Sequence, residues 1–241
     1  MGNGLGLLLT STGDVDLMIH GLLEFQLFGQ SLWLTTTHVS VLIIMVGLMI
    51  FATIVRAKLK DDGEKPGHLQ NIAEMIVEAL DNMVSSNMGA YAPKFRNYIG
   101  ALFLFILLSN ISGLLGLRPP TADYGVTFAL GVISFVMIQY NNVKYNKFGA
   151  VKDLFQPFPV FAPINLIGEI AVPVSLSMRL FGNVLAGTVM MTLIYGLLSM
   201  VAYGWPAILH VYFDIFSGCI QAYVFCMLTM VFTANKIGVN N

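Results

Sequence analysis

Charged residues are scarce in this sequence. Asp, Glu, Lys and Arg make up 10% of its 241 residues, where soluble domains carry about 25%. With hydrophobic residues at 56%, that scarcity leaves little room for a soluble domain and points to a chain threaded repeatedly through a membrane. Residues 1–37 hold no Lys or Arg, so the apolar stretch there lacks the basic lead of a standard secretory signal. Cysteine is nearly absent: Cys219 and Cys226 lie seven residues apart and form no Cys-x-x-Cys pair. His20, His38, His68 and His210 are scattered. No zinc spacing results, no cofactor is expected, and an intramembrane enzyme would lack a nucleophile or metal set. The net charge of −1 comes without a basic patch or nucleic-acid motif, so no nucleic-acid partner is expected.

What is present is a series of apolar runs. An external N-terminal segment, 1–37, contains Leu17 to Phe28, which is apolar with breaks and suits the membrane interface. The first transmembrane helix, 38–58, ends at Arg56, Lys58 and Lys60. An inner-side loop, 59–96, carries an amphipathic helix with Leu69, Ile72, Met75, Ile76, Ala79, Leu80 and Met83 on one face and Glu74, Glu78 and Asp81 on the other. Two transmembrane helices fill 97–143, separated by Arg118-Pro119-Pro120, which stops a helix. In the first of them, Asn97 and Asn110 read as helix–helix hydrogen bonders. Asn110-Ile-Ser112 matches a glycosylation sequon, but its place inside a span discounts it. A second inner loop, 144–163, leads to the closing segment, 164–241.

The run from Ile164 to Gly204 is apolar for 41 residues. As one helix it would be about 60 Å long at about 1.5 Å per residue, roughly twice the hydrocarbon thickness. A turn at its middle would have to be made from Arg179 to Asn183, a charged turn in oil. The spacing therefore predicts a long helix bent at Pro173 and strongly tilted, ended by Gly204-Trp205-Pro206. A second long helix, 207–235, returns. The expected fold is all-α: a polytopic membrane protein with about five membrane-crossing helices, the last two forming a long tilted hairpin. With the N-terminus outside, Arg56, Lys58, Lys60, Lys65, Lys94, Arg96, Lys144, Lys147, Lys152 and Lys236 all fall inside, together with the C-terminus.

Three charges then lie deep in the membrane: Glu169, Arg179 and Asp214. An intramembrane ionisable residue is costly and marks function by default. Ser175, Arg179, Gly182, Asn183, Ala186 and Gly187 recur at three-and-four spacing and share a helical face of mostly small residues. Such a face admits another helix closely. His210, Asp214, Ser217, Gly218 and Gln221 form a polar stripe on the returning helix, and Asn165 lies one turn before Glu169. A static alternative pairs Arg179 with Asp214 or Glu169, but buried ion pairs are weak stabilisers. A guanidinium stays charged. It blocks direct passage of a cation and favours release of an ion from a partner's carboxylate.

The string Pro173-Val-Ser-Leu-Ser-Met-Arg179-Leu-Phe-Gly-Asn183, followed by Ala186-Gly187, resembles the arginine-helix motif of subunit a of the F-type ATP synthases. Gln70-Asn71 before Ser85-Ser86, Ile220-Gln221 and Leu228-Thr-Met-Val extend the resemblance over most of the chain. It implies an ion-translocating stator subunit, not catalytic by itself, in a bacterial inner membrane. The implied partners are the c-subunit ring, the b subunits of the peripheral stalk and membrane lipid. By the same resemblance, Arg179 is the essential arginine, Asn183 its motif neighbour, Gln221 the glutamine near it, and Glu169 an inner half-channel group. Some members place an acid nine residues after the arginine and a histidine on the last helix; here those positions hold Thr188 and Asp214. Asp214, with His210 beside it, is thereby assigned to the outer path. A stand-alone channel or carrier with an intramembrane charge relay is the competing reading.

Overall fold

The computed structural model describes residues 21–27, 30–58, 67–115, 119–146, 149, 155, 159–197, 209 and 211–238. Helices dominate. They are α1 (Thr36–Lys58), α2 (His68–Met88), α3 (Ala92–Ile111), α4 (Tyr124–Asn146), α5 (Ala162–Leu197) and α6 (Gly218–Ile237). A π-helical stretch, Val211–Ser217, runs directly into α6. Among the described residues, five segments are long and apolar enough to cross a membrane: α1, the α2–α3 segment, α4, α5, and the π stretch with α6. One feature was not expected. Two short strands, β1 (Gly21–Leu27) and β2 (Gln30–Thr35), pair antiparallel ahead of α1, with an irregularity between Gly21 and Leu23. β1 falls within Leu17 to Phe28, the apolar stretch expected at the membrane interface. Aromatic residues and threonine in runs this short favour extended backbone.

Local chemistry sets the helix ends. Between α2 and α3, Gly89 takes φ 50°, a conformation side chains resist, and its N–H closes on the Ser85 carbonyl. Pro93 then stands in the first turn of α3, where a missing N–H costs nothing. α6 stops at Gly238, left-handed at φ 77°, whose N–H caps the Ala234 carbonyl at 3.0 Å. The predicted helix end at Gly204-Trp205-Pro206 lies outside the described residues.

The core forms where the end of α2, the length of α3 and α6, and the middle of α5 meet. Met88, Ile99, Ile106, Leu180, Phe225 and Met230 are among its fully buried members. Docking α2 into this core divides its apolar stripe. Ala73, Val84 and Met88 turn inward, Ile76, Leu80 and Met83 are half-buried, and Ile72, Met75 and Ala79 stay exposed. The side that packs is thus rotated from the predicted one, because the contacts of the last turn decide it.

Helix α5 holds 36 residues with Pro173 inside it. At about 1.5 Å per residue it is about 54 Å long, too long to cross about 30 Å of hydrocarbon except at a steep slant. It meets α6 and the π stretch, but its most extensive neighbour is α4. Gly131 makes that approach possible: a Cβ there would lie 2.7 Å from the Pro173 carbonyl oxygen.

Candidate functional site

Arg179 stands at the middle of α5 and is exposed on the outer surface of the fold. Ser175, Gly182 and Ala186 share that exposure and make the strip around it. The opposite side of the helix carries Leu176 and Leu180, buried in the core. Core packing therefore fixes the rotation of α5 and turns the guanidinium outward. Among the described residues, Arg179 forms no ion pair with Glu169 or Asp214. The predicted polar face is narrower than expected. Asn183 is half-buried and Gly187 fully buried, with the Phe213 ring carbons 3.7–3.8 Å from where a Gly187 Cβ would stand.

Asn183 leads from the arginine strip to the returning helix. Its Oδ1 accepts a hydrogen bond from the Ser217 hydroxyl at 2.8 Å. Beside this bond lies a cleft of about 30 Å³, whose polar lining is Asn110, Asn183, Thr188 and Asp214. That is room for about one or two water molecules. Thr188 and Asp214, singled out from the sequence by position alone, thus share one cleft. A Cβ on Gly113, in the turn just past α3, would meet the Asp214 carboxylate at 3.8 Å.

Asn110, read from the sequence as a helix–helix hydrogen bonder, makes that contact and lines the cleft as well. It donates through Nδ2 to the Gly218 carbonyl at 3.1 Å and accepts from the Thr121 hydroxyl at 2.8 Å. Gly218 permits this, because a Cβ there would press to 2.9 Å from the Asn110 Cβ. The sequence signal available was the small residue at 218 opposite a polar one. Gln221 follows, 7% exposed, and its Nε2 has no hydrogen-bond partner among the described residues. An orphaned amide donor at such burial is costly and calls for a water or an incoming group.

A second polar cluster forms at the other end of α6. Glu169 on α5 accepts from Gln139 Nε2 on α4 at 2.9 Å and pairs with Lys236 Nζ on α6. Asn146 Nδ2 donates to the Lys236 carbonyl. Asn165, one turn before Glu169, is half-buried. Gln139 carries no signal in the sequence and Lys236 stands out there only as an inner-side basic residue, because nothing in local spacing ties 139, 169 and 236 together. His210 lies outside the described residues.

Five described segments long and apolar enough to cross a membrane, a cation on the outward strip of one of them, and polar clusters at both ends of the neighbouring helix define a membrane protein of the ion-translocating class. The sequence pattern of the family described as "ATP synthase A chain" matches residues 38–234, and this chain belongs to that family. Similar relatives include "ATP synthase subunit a, sodium ion specific" of Propionigenium modestum, 37% identical over 223 residues, covering 85% of this chain and 74% of the relative. "ATP synthase subunit a" of Desulforamulus reducens is 38% identical over 176 residues, covering 70% of this chain and 67% of the relative. "ATP synthase subunit a" of Priestia megaterium is 32% identical over 226 residues, covering 87% and 92%. As a family member the protein is a multi-pass, non-catalytic, ion-translocating stator component of the ATP synthase complex, associated with its F0 sector.

Proposed function

We propose that this chain carries ions through two aqueous half-paths that meet at Arg179 without joining. Arg179 faces the carboxylate of a rotating c-ring and favours release of the ion bound there. Its fixed positive charge keeps a cation from crossing directly from one half-path to the other. The ion crosses only by riding the ring, and each elementary charge moved releases about 2.3 kcal/mol per 100 mV. The outer half-path runs by His210 and Asp214 past Asn183 and Gln221. The inner one runs by Glu169 and Asn165. Ser175 borders the arginine strip, where a neighbouring helix can come close. The N-terminus lies outside and the C-terminus inside, which keeps the ten basic residues of the loops and helix ends on the inner side. The b subunits of the peripheral stalk hold the chain against rotation.

The observation that carries this reading is the outward exposure of Arg179, with no ion pair to Glu169 or Asp214. A charge kept for architecture would be expected to turn inward to a carboxylate. The relative from Propionigenium modestum bears the description "sodium ion specific". Here the ion is set by the ring's own carboxylate site, so both H⁺ and Na⁺ belong in the test. The complex carrying Arg179→Ala is reconstituted in liposomes, and ATP synthesis driven by an imposed ion gradient is measured. At an effective dielectric near 20, a charge pair at 4 Å is worth about 4 kcal/mol, on the order of a thousandfold in rate. Synthesis should fall to background. Coupled synthesis at the unmodified rate would overturn the reading.

A further inference from the structure

The inner cluster holds a group that this mechanism does not use. Lys236 stands in the last turn of α6, its ammonium on one oxygen of Glu169. The other oxygen accepts from Gln139 Nε2 at 2.9 Å. Three helices, α4, α5 and α6, therefore converge on one carboxylate and place a donor on each of its oxygens. Lys236 and Glu169 are both less than a third exposed, so the pair is shielded more than a surface ion pair. The backbone that carries the ammonium is tied to α4, since Asn146 Nδ2 donates to the Lys236 carbonyl. Pro173 adds to the set: lacking an N–H, it withholds from the Glu169 carbonyl its usual helical donor.

A carboxylate on an inner ion path carries a risk. Left bare in a partly dry site, it binds the passing cation and holds it. A cationic partner on one oxygen and an amide on the other occupy the positions that a passing cation would take. We propose that Lys236 is a positioning residue for ion transfer: it holds Glu169 as a fixed negative wall of the inner half-path, so that the ion passes without being trapped. Lys236 is the charged group in contact with that carboxylate from α6, and α4 contributes the neutral Gln139. The inference rests on the half-path reading above and deepens its inner arm.

The test uses the whole complex in liposomes with its ATP-hydrolysing sector outward, so that ATP-driven pumping draws ions through the inner arm. Pumping rate is followed against external pH and, separately, external Na⁺ concentration. In Lys236→Gln, Glu169 should bind the ion more tightly. The half-saturating ion concentration should fall about threefold to fivefold, the size expected for a partly exposed ion pair, and the maximal rate should fall as well. Lys236→Arg, which keeps the cation, should restore both. A merely structural role would lower the amount of assembled complex without moving half-saturation. If Lys236→Gln does not assemble, Gln139→Leu removes the neutral donor and should shift half-saturation in the same direction by less. Unchanged half-saturation in the variant that assembles overturns the inference. Should Arg179→Ala still pump, the underlying reading fails instead, and the two failures are told apart by which variant departs from expectation.

Discussion

Arg179, Asn183 and Asp214 differ in exposure and in what they touch. Arg179 is exposed, Asn183 is half-buried and bonded to Ser217, and Asp214 lines the cleft beyond. The arginine and its motif were legible in the sequence, because a charge within an apolar run of this length stands out on composition alone. The direction it faces was only half legible. Helical spacing grouped Gly187 with Arg179, but the structure buries Gly187 against Phe213 and leaves Arg179 outside. A face spanning several positions is wide, and spacing cannot say where the core begins. The shared cleft of Thr188 and Asp214 yields a residue-scale prediction. Asp214→Asn should slow ion-driven ATP synthesis by about tenfold, equivalent to about 1.4 kcal/mol. Adding Thr188→Asp should recover most of that loss, because the carboxylate returns to the same cleft from the opposite helix. No recovery in a complex that assembles normally would mean that the cleft is not on the ion's path.

At the scale of the element, the long helix depends on where its neighbours let it lie. Gly131 on α4 faces the Pro173 carbonyl so closely that a methyl group would stand 2.7 Å from it. The obstacle is backbone, which cannot swing aside as a side chain can. Gly131→Ala should therefore destabilise the α4–α5 contact by about 1–3 kcal/mol, read as a lower thermal transition of the purified complex. Gly182→Ala makes the control, since nothing lies within 4 Å of a Cβ there. In this chain alone it should leave the transition unmoved, whatever it does to rotor contact. The length of α5 was legible from its apolar run, and its close partnership with α4 was not. Hairpin order along the chain points to α6, whereas the missing side chain at 131 determines which helix comes nearest. The rotated packing face of α2 escaped for the same reason: it is decided by contacts between segments far apart in sequence.

For the whole molecule, the arrangement of polar groups separates a stator from a channel. Asp214 and Lys236 are 22 residues apart along the π stretch and α6, about 30 Å at helical rise, so the two clusters sit at opposite ends of that helical segment. Between them the core is closed by Phe225, Cys226 and Met230, each at most 1% exposed, and the cleft at the Asp214 end has room for one or two waters only. Among the described residues, these side chains fill the core between the two clusters. Arg179, between the clusters along α5, is exposed on the outer surface of the fold. A stand-alone channel or carrier would conduct in liposomes holding this chain alone. The stator reading expects background flux from the chain alone, with or without an imposed potential of about 100 mV. Flux should appear only when the c-ring is added with the chain, and it should vanish again when the ring's carboxylate is neutralised. Ion flow from the chain by itself, sensitive to Arg179→Ala, would move the path from the surface of α5 to its interior and reverse the assignment.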